Sequence, residues 1–191
     1  MGRFSLPDER PDGLDSPATV RLIKAMSKAQ VAVFRATNGR VGNKWRVGAG
    51  FRKPVPTLLL DHTGRTSGRR FTTPVLYLND GPNVVVVASQ GGLPKNPQWY
   101  SNLMATPETE IHLPGEHGRP VRASVAGPTE RERLWPLLVD MYADFAKYDA
   151  WSEREIPVVV LEPRLAAKLF SLWAEIRRSS YLGPSHGLSR H

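Results

Sequence analysis

The 191-residue sequence contains no cysteine, which excludes disulfides, thiolate metal ligands and a thiol nucleophile. Its five histidines show no metal-ligand spacing. No apolar run approaches the roughly 20 residues that a membrane-spanning helix needs. Acidic residues at Asp8, Glu9, Asp12 and Asp15 argue against a signal peptide. We therefore expect a cytoplasmic protein of one domain without a metal site.

Positive charge is concentrated in the first third of the chain. The net charge is +8, and residues 1–70 carry 14 Lys/Arg against 5 Asp/Glu, whereas residues 71–191 carry 12 against 13. A basic surface attracts polyanions, so an acidic cofactor, an anionic membrane face and nucleic acid all fit the charge, as does a merely solvated surface. The basic residues form no recognised nucleic-acid-binding motif, and we expect no nucleic-acid partner.

The N-terminal part predicts one helix between two irregular segments. Residues 1–15 read as a flexible tail. Ser16 as N-cap and Pro17 at the first helical position begin an amphipathic basic helix that ends near Thr37, and a connector rich in Gly, Pro, Lys and Arg continues to residue 56. The helix carries an apolar stripe of Leu22, Met26, Ala29 and Val33. A neighbouring face is basic, with Arg21, Lys24, Lys28 and Arg35.

Short β-type runs dominate the rest of the chain. They cover residues 57–62, 71–78, 84–89, 108–113, 119–126 and 157–162. Asn79-Asp80-Gly81 predicts a tight hairpin between the second and third runs. Six short strands with such turns predict an α+β, mainly β, fold built on a small barrel over residues 57–163.

Three further helices accompany the strands. A short helix, capped by Asn96 and Pro97, reaches about Met104. A capping box of Thr129 and Glu132 begins a longer one that runs to about Tyr148, with a kink at Pro136. Residues 164–178 predict an amphipathic C-terminal helix, followed by a frayed tail to residue 191.

The loop over residues 63–70, here the Gly-Arg loop, combines glycines, hydroxyls and three arginines. Consecutive backbone N–H groups in such a turn form an anion-binding nest, and arginine adds bidentate contacts to phosphate. A phosphate site and a plain solvated loop both fit these residues.

Two later segments also carry groups suited to a site. Residues 89–102 lead from an apolar strand through Gly91 and Gly92 into a helix whose N-terminus favours anions, and Trp99 offers a flat face to a heterocycle. Residues 141–151 place Tyr142, Phe145 and Tyr148 at three-residue spacing, which fits either a pocket wall or ordinary core packing.

Six sequence stretches occur in one order between residues 54 and 163. They read TGRTSG, TTPV, VVVVASQGG, PKNPQWYSNL, WPLLVDMYADFAKYDAW and REIPVVVLEP. Together they resemble the deazaflavin-dependent nitroreductase and F420H2-dependent quinone reductase family of actinobacteria. The resemblance implies a split β-barrel of six or so short antiparallel strands with N-terminal, inserted and C-terminal helices. It also implies hydride transfer from reduced coenzyme F420, whose acidic phosphate and oligoglutamate tail match the basic first third.

The resemblance also implies a set of site residues. The phosphate and tail side takes Arg65, Thr66, Ser67 and Gly68. The ring system takes Thr73, Pro74, Val75 and Leu76, together with Ala88, Ser89 and Gln90 and then Gln98, Trp99 and Asn102. The acceptor side takes Tyr142, Phe145 and Tyr148, with Tyr142, Ser89 and Tyr148 as the candidate catalytic hydroxyls.

The chain departs from the family pattern at three cationic positions. Many members have Lys, Arg and Lys where this chain has Thr66, Phe71 and Gln90. The cations left to replace them are Arg69, Arg70 and Lys95. Since Phe145 replaces a tyrosine, a proton donor must be Tyr142, Tyr148, Ser89 or water.

These departures keep several functions open. We expect reduction of a quinone, with nitroaromatics as adventitious acceptors, because a basic helix over residues 17–37 fits a peripheral contact with the inner membrane face, where quinones reside. The same helix fits simple packing on the barrel. The alternatives are a non-catalytic split-barrel carrier of a lipid or other apolar ligand and a reductase that uses flavin mononucleotide (FMN). Split barrels often form homodimers, although no sequence feature fixes an interface.

Overall fold

A computed structural model describes residues 16–47, 50 and 53–164 of the chain. The N-terminal tail over residues 1–15 and the C-terminal helix expected beyond Arg164 lie outside these residues. The strands are β1 (Lys44–Trp45), β2 (Val55–Thr63), β3 (Arg70–Asp80), β4 (Asn83–Val87), β5 (Glu108–Leu113), β6 (Glu116–Val125) and β7 (Val158–Pro163). The helices are α1 (Pro17–Ala36), α2 (Gln98–Ala105), α3 (Pro128–Met141) and α4 (Asp144–Ala150), with a 3₁₀ turn at Gln90–Gly92.

Six antiparallel strands close into a barrel, in the order β2, β3, β4, β7, β6, β5. The barrel closes where β5 returns to β2 and pairs Leu59 with His112 and Leu60 with Ile111. The short strand β1 extends the sheet beside β2 and lies inside the segment expected to be an irregular connector. This closed pairing confirms the predicted split β-barrel. Closure also pairs backbone N–H and C=O groups that an open sheet edge would leave without partners.

Two apolar clusters hold this architecture together. The first fills the barrel and includes Leu58, Leu60, Val84 and Val86, with Trp99 from α2 closing one end. The second lies outside the barrel, where Val85 and Val87 on the opposite face of β4 pack against α3 and α4. Because β4 is buried on both faces, it reads in the sequence as an unbroken run of valines.

Helix α1 begins as predicted, with the Ser16 side chain accepting a hydrogen bond from the Thr19 amide. The sequence did not show which face of α1 contacts the barrel. Phe34 is fully buried and Gln30 is half-buried, whereas the apolar stripe faces solvent, with Leu22 61% and Met26 53% exposed. The helix therefore contacts the barrel through a mixed face and turns its apolar stripe outward.

The helical segment after β6 differs from the prediction in two ways. It begins at Pro128 with Gly127 as N-cap and no side-chain cap, so the capping box of Thr129 and Glu132 is wrong. It also does not run unbroken to Tyr148. Pro136 lies inside α3, and the chain instead leaves the helix at Tyr142, whose φ of −143° and ψ of 95° separate α3 from α4. Tyr142 therefore lies at the end of α3, between the two helices.

Candidate active site

A cavity of about 260 Å³ lies on the outer face of β2, β3 and β4, between α1 and the helix pair α3 and α4. Its wall is mostly apolar, with hydroxyl and amide groups at intervals. The barrel, the loops around it and the start of α2 contribute Trp45, Thr57, Pro74, Val75, Leu76, Val87, Ser89, Gln90, Gly91, Pro97 and Trp99. The helices contribute Ile23, Ser27, Gln30, Tyr142, Phe145 and Tyr148. An apolar cleft with a few converging polar groups is the usual form of a small-molecule site.

One side of the cavity is formed by the loop that follows β4, over residues 88–97, here the strand-end loop. Three consecutive residues in it have positive φ: Gln90 at 47°, Gly91 at 66° and Gly92 at 73°. Glycine adopts this conformation freely, but Gln90 does so at a steric cost. Strain of this kind persists only where surrounding contacts hold the backbone, and it concentrates at functional sites.

Arg154 provides those contacts. Its guanidinium donates to the carbonyl oxygens of Ala88 at 3.1 Å, Ser89 at 3.2 Å, Leu93 at 3.3 Å and Lys95 at 3.4 Å. Burial lowers the pKa of Arg154, but the guanidinium stays charged at neutral pH because the ordinary arginine pKa lies far above neutrality. One fixed cation therefore holds four carbonyl groups of the strand-end loop in place.

The strand-end loop also packs tightly against α4. A Cβ atom on Gly92 would lie 3.1 Å from the carbonyl oxygen of Tyr148 and 3.2 Å from the Trp151 ring. These close contacts and the φ of 73° together favour glycine at this position. As a result, the position of Ser89 on the loop is fixed relative to Tyr148 on the helix, and the two hydroxyls face one cavity.

Tyr142, Phe145 and Tyr148 form an aromatic wall of the cavity, and this wall contains two hydrogen-bonded hydroxyls. The Tyr142 and Tyr148 hydroxyl oxygens lie 3.3 Å apart, and the Trp45 side chain hydrogen-bonds to Tyr142. An indole has only a donor, so Trp45 donates to the Tyr142 oxygen. Burial raises the pKa of Tyr142 and the pKa of Tyr148, so both hydroxyls remain protonated. Phe145 packs edge-on against Tyr142, with ring centroids 5.1 Å apart.

Thr57 is a further polar group in the wall, and the sequence offered no sign of it. Among the described residues its buried Oγ1 atom has no hydrogen-bond partner, although its side chain lines the cavity. A buried hydroxyl without a partner costs about 1–3 kcal/mol. The cavity therefore has a polar group available to a ligand beside an apolar surface formed by Pro74, Leu76 and Trp99.

The Gly-Arg loop lies apart from this cavity and is exposed from Arg65 to Arg70. Its turn is closed by hydrogen bonds from Gly64 to the Arg69 carbonyl and from Gly68 to the Gly64 carbonyl, each 2.8 Å. The backbone N–H of Arg65 donates to the Asn102 side chain at 3.1 Å, which ties the loop to α2. Since Trp99 lies one turn earlier on α2, this helix connects the cavity with the basic loop.

The structure places the residues expected at the site in two groups. Around the cavity it brings together Pro74, Val75, Leu76, Ser89, Gln90, Trp99, Tyr142, Phe145 and Tyr148. The cavity lining does not include Arg65, Thr66, Ser67, Gly68, Thr73, Ala88, Gln98 and Asn102. Ala88 is packed in the barrel core and Gln98 is exposed, whereas the Thr73 hydroxyl is bound by His62.

Sequence reasoning missed part of the site, including the wall that α1 provides through Ile23, Ser27 and Gln30. It also missed Trp45, Thr57 and Arg154, which carry no motif of their own. Trp45 lies inside the segment read as connector, and Thr57 lies at the start of a predicted strand. Arg154 falls within the quoted REIP stretch, but its contacts are with carbonyl groups 59 to 66 residues away in the chain. Only the tertiary fold shows which residues it holds.

Comparison with known proteins identifies relatives over most of the chain. A family model described as F420H(2)-dependent quinone reductase matches residues 26–163. A Mycobacterium tuberculosis H37Rv protein whose name assigns it to the F420H(2)-dependent quinone reductases is 58% identical over 119 residues, 62% of this chain and 99% of the relative. A second protein of that strain, named F420H(2)-dependent quinone reductase, is 36% identical over 135 residues, 70% of this chain and 87% of the relative.

Solved structures agree with this family. One titled as an F420-H2 dependent reductase is 33% identical, with a TM-score of 0.52, and the alignment covers 56% of this chain and 94% of that one. Another, titled as a domain-swapped dimer, is 26% identical, with a TM-score of 0.55 over 75% of this chain and 99% of that one.

Proposed function

Because the chain belongs to the F420H(2)-dependent quinone reductase family, we propose that it transfers hydride from reduced coenzyme F420 to a quinone or another small oxidised organic acceptor, nitroaromatics included. The observation that carries this proposal is the cavity between α1, the strand-end loop and α4, whose lining combines an apolar surface with the hydroxyl-bearing residues Ser89, Tyr142 and Tyr148. The reduced coenzyme, when bound, supplies a hydride and thus two electrons. The chain itself supplies binding, orientation and protons.

The residues present fit the coenzyme. Pro74, Leu76 and Trp99 offer a flat apolar surface to a ring system, and the unpartnered Thr57 hydroxyl can bond a polar ring substituent. The exposed cations of the Gly-Arg loop, Arg65, Arg69 and Arg70, suit a phosphate and an acidic tail. The loop contains the glycines that let backbone N–H groups approach an anion.

The hydrogen-bond order of the aromatic wall supports Tyr148 as the proton donor. The Tyr142 oxygen accepts from Trp45, so its own proton is best directed to the Tyr148 oxygen 3.3 Å away. The Tyr148 proton then remains to donate into the cavity. In this arrangement Tyr148 donates to the acceptor oxygen as the hydride arrives, and Tyr142 orients Tyr148. Ser89 lines the same cavity.

The comparisons favour the enzyme over the two alternatives. The family model, the two mycobacterial relatives and one of the two solved structures carry the names of F420-dependent reductases, and none of these names favours an apolar-ligand carrier or a flavin mononucleotide enzyme. The replacement of three family cations by Thr66, Phe71 and Gln90 therefore bears on the affinity for the coenzyme and not on the class of protein.

The direct test is a fluorescence titration of the purified protein with F420, beside flavin mononucleotide as a matched control. We expect saturable binding of F420 alone, followed by oxidation of the reduced coenzyme when a short-chain naphthoquinone is added. Binding of flavin mononucleotide alone would contradict the proposal. So would F420 binding without oxidation by any quinone or nitroaromatic.

We also propose that α1 makes a peripheral contact with an anionic membrane face. Leu22, Met26 and Val33 form an exposed apolar stripe flanked by Lys24 and Lys28, the pattern of a helix that lies in the interface. No helix within the described residues is long and apolar enough to span a bilayer. A homodimer through the same stripe is the competing occupant, in keeping with the domain-swapped dimer named above.

Replacing both Leu22 and Met26 by Glu is expected to abolish sedimentation with vesicles that contain phosphatidylserine, because it removes buried apolar area and adds like charge. Val125→Glu, a change at an exposed valine on β6, is the matched control and leaves binding intact. Wild-type protein that stays in the supernatant while running as a dimer in light scattering would assign the stripe to a second copy instead.

A further inference from the structure

Four groups near the Gly-Arg loop form one hydrogen-bonded chain. His62 on β2 is only 6% exposed. Its Nδ1 atom lies 2.8 Å from Nδ2 of Asn102, and its Nε2 atom lies 3.0 Å from Oγ1 of Thr73. The Asn102 Oδ1 atom accepts from the Arg65 backbone N–H at 3.1 Å. The chain thus links β2, β3, α2 and the Gly-Arg loop.

The donors and acceptors fix the protonation state of the imidazole. The oxygen of Asn102 is engaged by Arg65, so the NH2 group of Asn102 faces His62 and can only donate. Nδ1 must therefore be an unprotonated acceptor, which leaves the proton on Nε2 to be donated to Thr73. Burial lowers the pKa of His62, with a smaller opposing effect from Asp61, and so favours the same neutral form.

A ring contact fixes the plane of the imidazole as well. Phe71 stacks on His62 with centroids 5.6 Å apart and planes inclined by 18°. The Arg69 guanidinium lies 6.0 Å from the Phe71 centroid, which places a cation of the Gly-Arg loop against the same stack. Phe71 occupies a position at which many family members carry arginine, so this chain has aromatic packing where others have a charge.

We propose that His62 is a positioning residue for coenzyme binding: its neutral imidazole holds Asn102, and through Asn102 the Arg65 backbone, in the geometry that receives the coenzyme phosphate. The inference rests on the proposed function, since it assigns the Gly-Arg loop to F420. A proton on Nδ1 would face the NH2 group of Asn102, donor against donor. Turning the carboxamide over would set that NH2 group against the Arg65 N–H, so either arrangement loses the anchor of the loop.

The other charged groups near His62 do not reverse this conclusion. Asp61 is the neighbouring carboxylate, but it is shared with His112, 3.1 Å away, and with Arg35, 3.6 Å away. The charged residues that line the adjacent surface cleft are Asp61, Arg70, Glu108, Glu110 and Arg164. The first contact on the α2 side is the uncharged Asn102, so no carboxylate there stabilises a protonated ring.

Two substitutions of His62 separate its hydrogen bond to Asn102 from its hydrogen bond to Thr73. His62→Asn keeps an acceptor near the position of Nδ1, facing Asn102, whereas His62→Gln keeps a donor near the position of Nε2, facing Thr73. Both lose the ring contact with Phe71. We expect F420 to bind the Asn variant within about threefold of wild type and the Gln variant about tenfold more weakly, the equivalent of one buried hydrogen bond.

The pH profile supplies a second readout. As the pH falls from about 8 to below the ordinary histidine pKa of about 6.5, the wild-type dissociation constant should rise about tenfold more than that of His62→Asn. Since burial lowers the pKa of His62, this rise should lie on the acid side of 6.5. Titration of the coenzyme itself is common to both proteins and cancels in this comparison. His117→Asn, a change at an exposed histidine that leaves the His112–Asp61 contact in place, is the control and should retain the wild-type profile.

The outcomes distinguish this inference from the proposed function. Equal affinity of the Asn and Gln variants, whether both strong or both weak, would show a packing role only and overturn the positioning role. No F420 binding by the wild type would overturn the proposed function and this assignment of the loop with it. Independently of the coenzyme, ¹⁵N NMR of histidine-labelled protein should show His62 protonated at Nε2 alone at neutral pH, and an Nδ1–H tautomer would contradict the hydrogen-bonded chain.

Discussion

Replacing Arg154 by methionine is expected to lower the free energy of unfolding by about 3 kcal/mol and to weaken F420 binding by about two orders of magnitude. The substitution removes a cation that donates to four carbonyl groups, including those of Ala88 and Ser89. Without it the positive φ of Gln90 is no longer held, and the strand-end loop can relax away from the cavity. Urea denaturation and fluorescence titration measure the two effects.

Arg133→Met is the matched control for this prediction. Arg133 forms a bidentate ion pair with Asp80 at 2.7 and 2.9 Å, but on an exposed surface outside the cavity. Exposed ion pairs contribute about 0–1 kcal/mol, so little change in stability and none in binding is expected. If Arg154→Met loses stability but binds F420 like the wild type, the guanidinium supports the fold and does not shape the site.

The second large effect is expected from Tyr148→Phe, which should lower kcat for quinone reduction by about a hundredfold while leaving the F420 dissociation constant nearly unchanged. The substitution keeps the aromatic ring and removes only the proton directed into the cavity. Tyr142→Phe should cost about tenfold, because it removes the group that orients Tyr148 and not the donor itself. Stopped-flow oxidation of the reduced coenzyme separates these steps from product release.

The result that would reverse this order is a larger loss for Tyr142→Phe than for Tyr148→Phe. A large loss for Ser89→Ala, with both tyrosine variants active, would instead assign proton donation to Ser89. Since burial raises the pKa of both tyrosines, neither should deprotonate below about pH 10, and the rate should show no tyrosine-dependent fall at mildly alkaline pH.

The strands were predictable because local pattern and tertiary environment agree there. The valine run of β4 and the apolar residues of β2 are buried, and each of the six predicted strands begins and ends within three residues of its expected place. β1 was not predictable, since two residues carry no periodicity and Lys44 and Trp45 form a strand only because β2 offers an edge. The break between α3 and α4 at Tyr142 was not predictable either, because the local sequence across Ala143 is compatible with a continuous helix.

The candidate site was predictable where it follows contiguous motifs and unpredictable where it depends on distant contacts. Ser89, Trp99 and Tyr148 belong to stretches whose order resembles the family. Arg154 was missed because its acceptors are carbonyl groups, which every residue has and no sequence pattern distinguishes. The apolar stripe of α1 was predicted, but its direction was not, because amphipathicity shows that a helix has two faces and not which of them meets the barrel.

Because of the placement of α1, the shape of the cavity that receives the acceptor can change without a change in the stability of the fold. Ile23, Ser27 and Gln30 form one wall of the cavity, yet Phe34 is the only residue of this helix that is fully buried. Substitutions in that wall change which molecules fit while leaving the closed barrel and its core untouched. Paralogues could therefore diverge in the compounds they reduce by drift in a single helix, and the same helix is where directed evolution would alter selectivity with the least loss of folded protein.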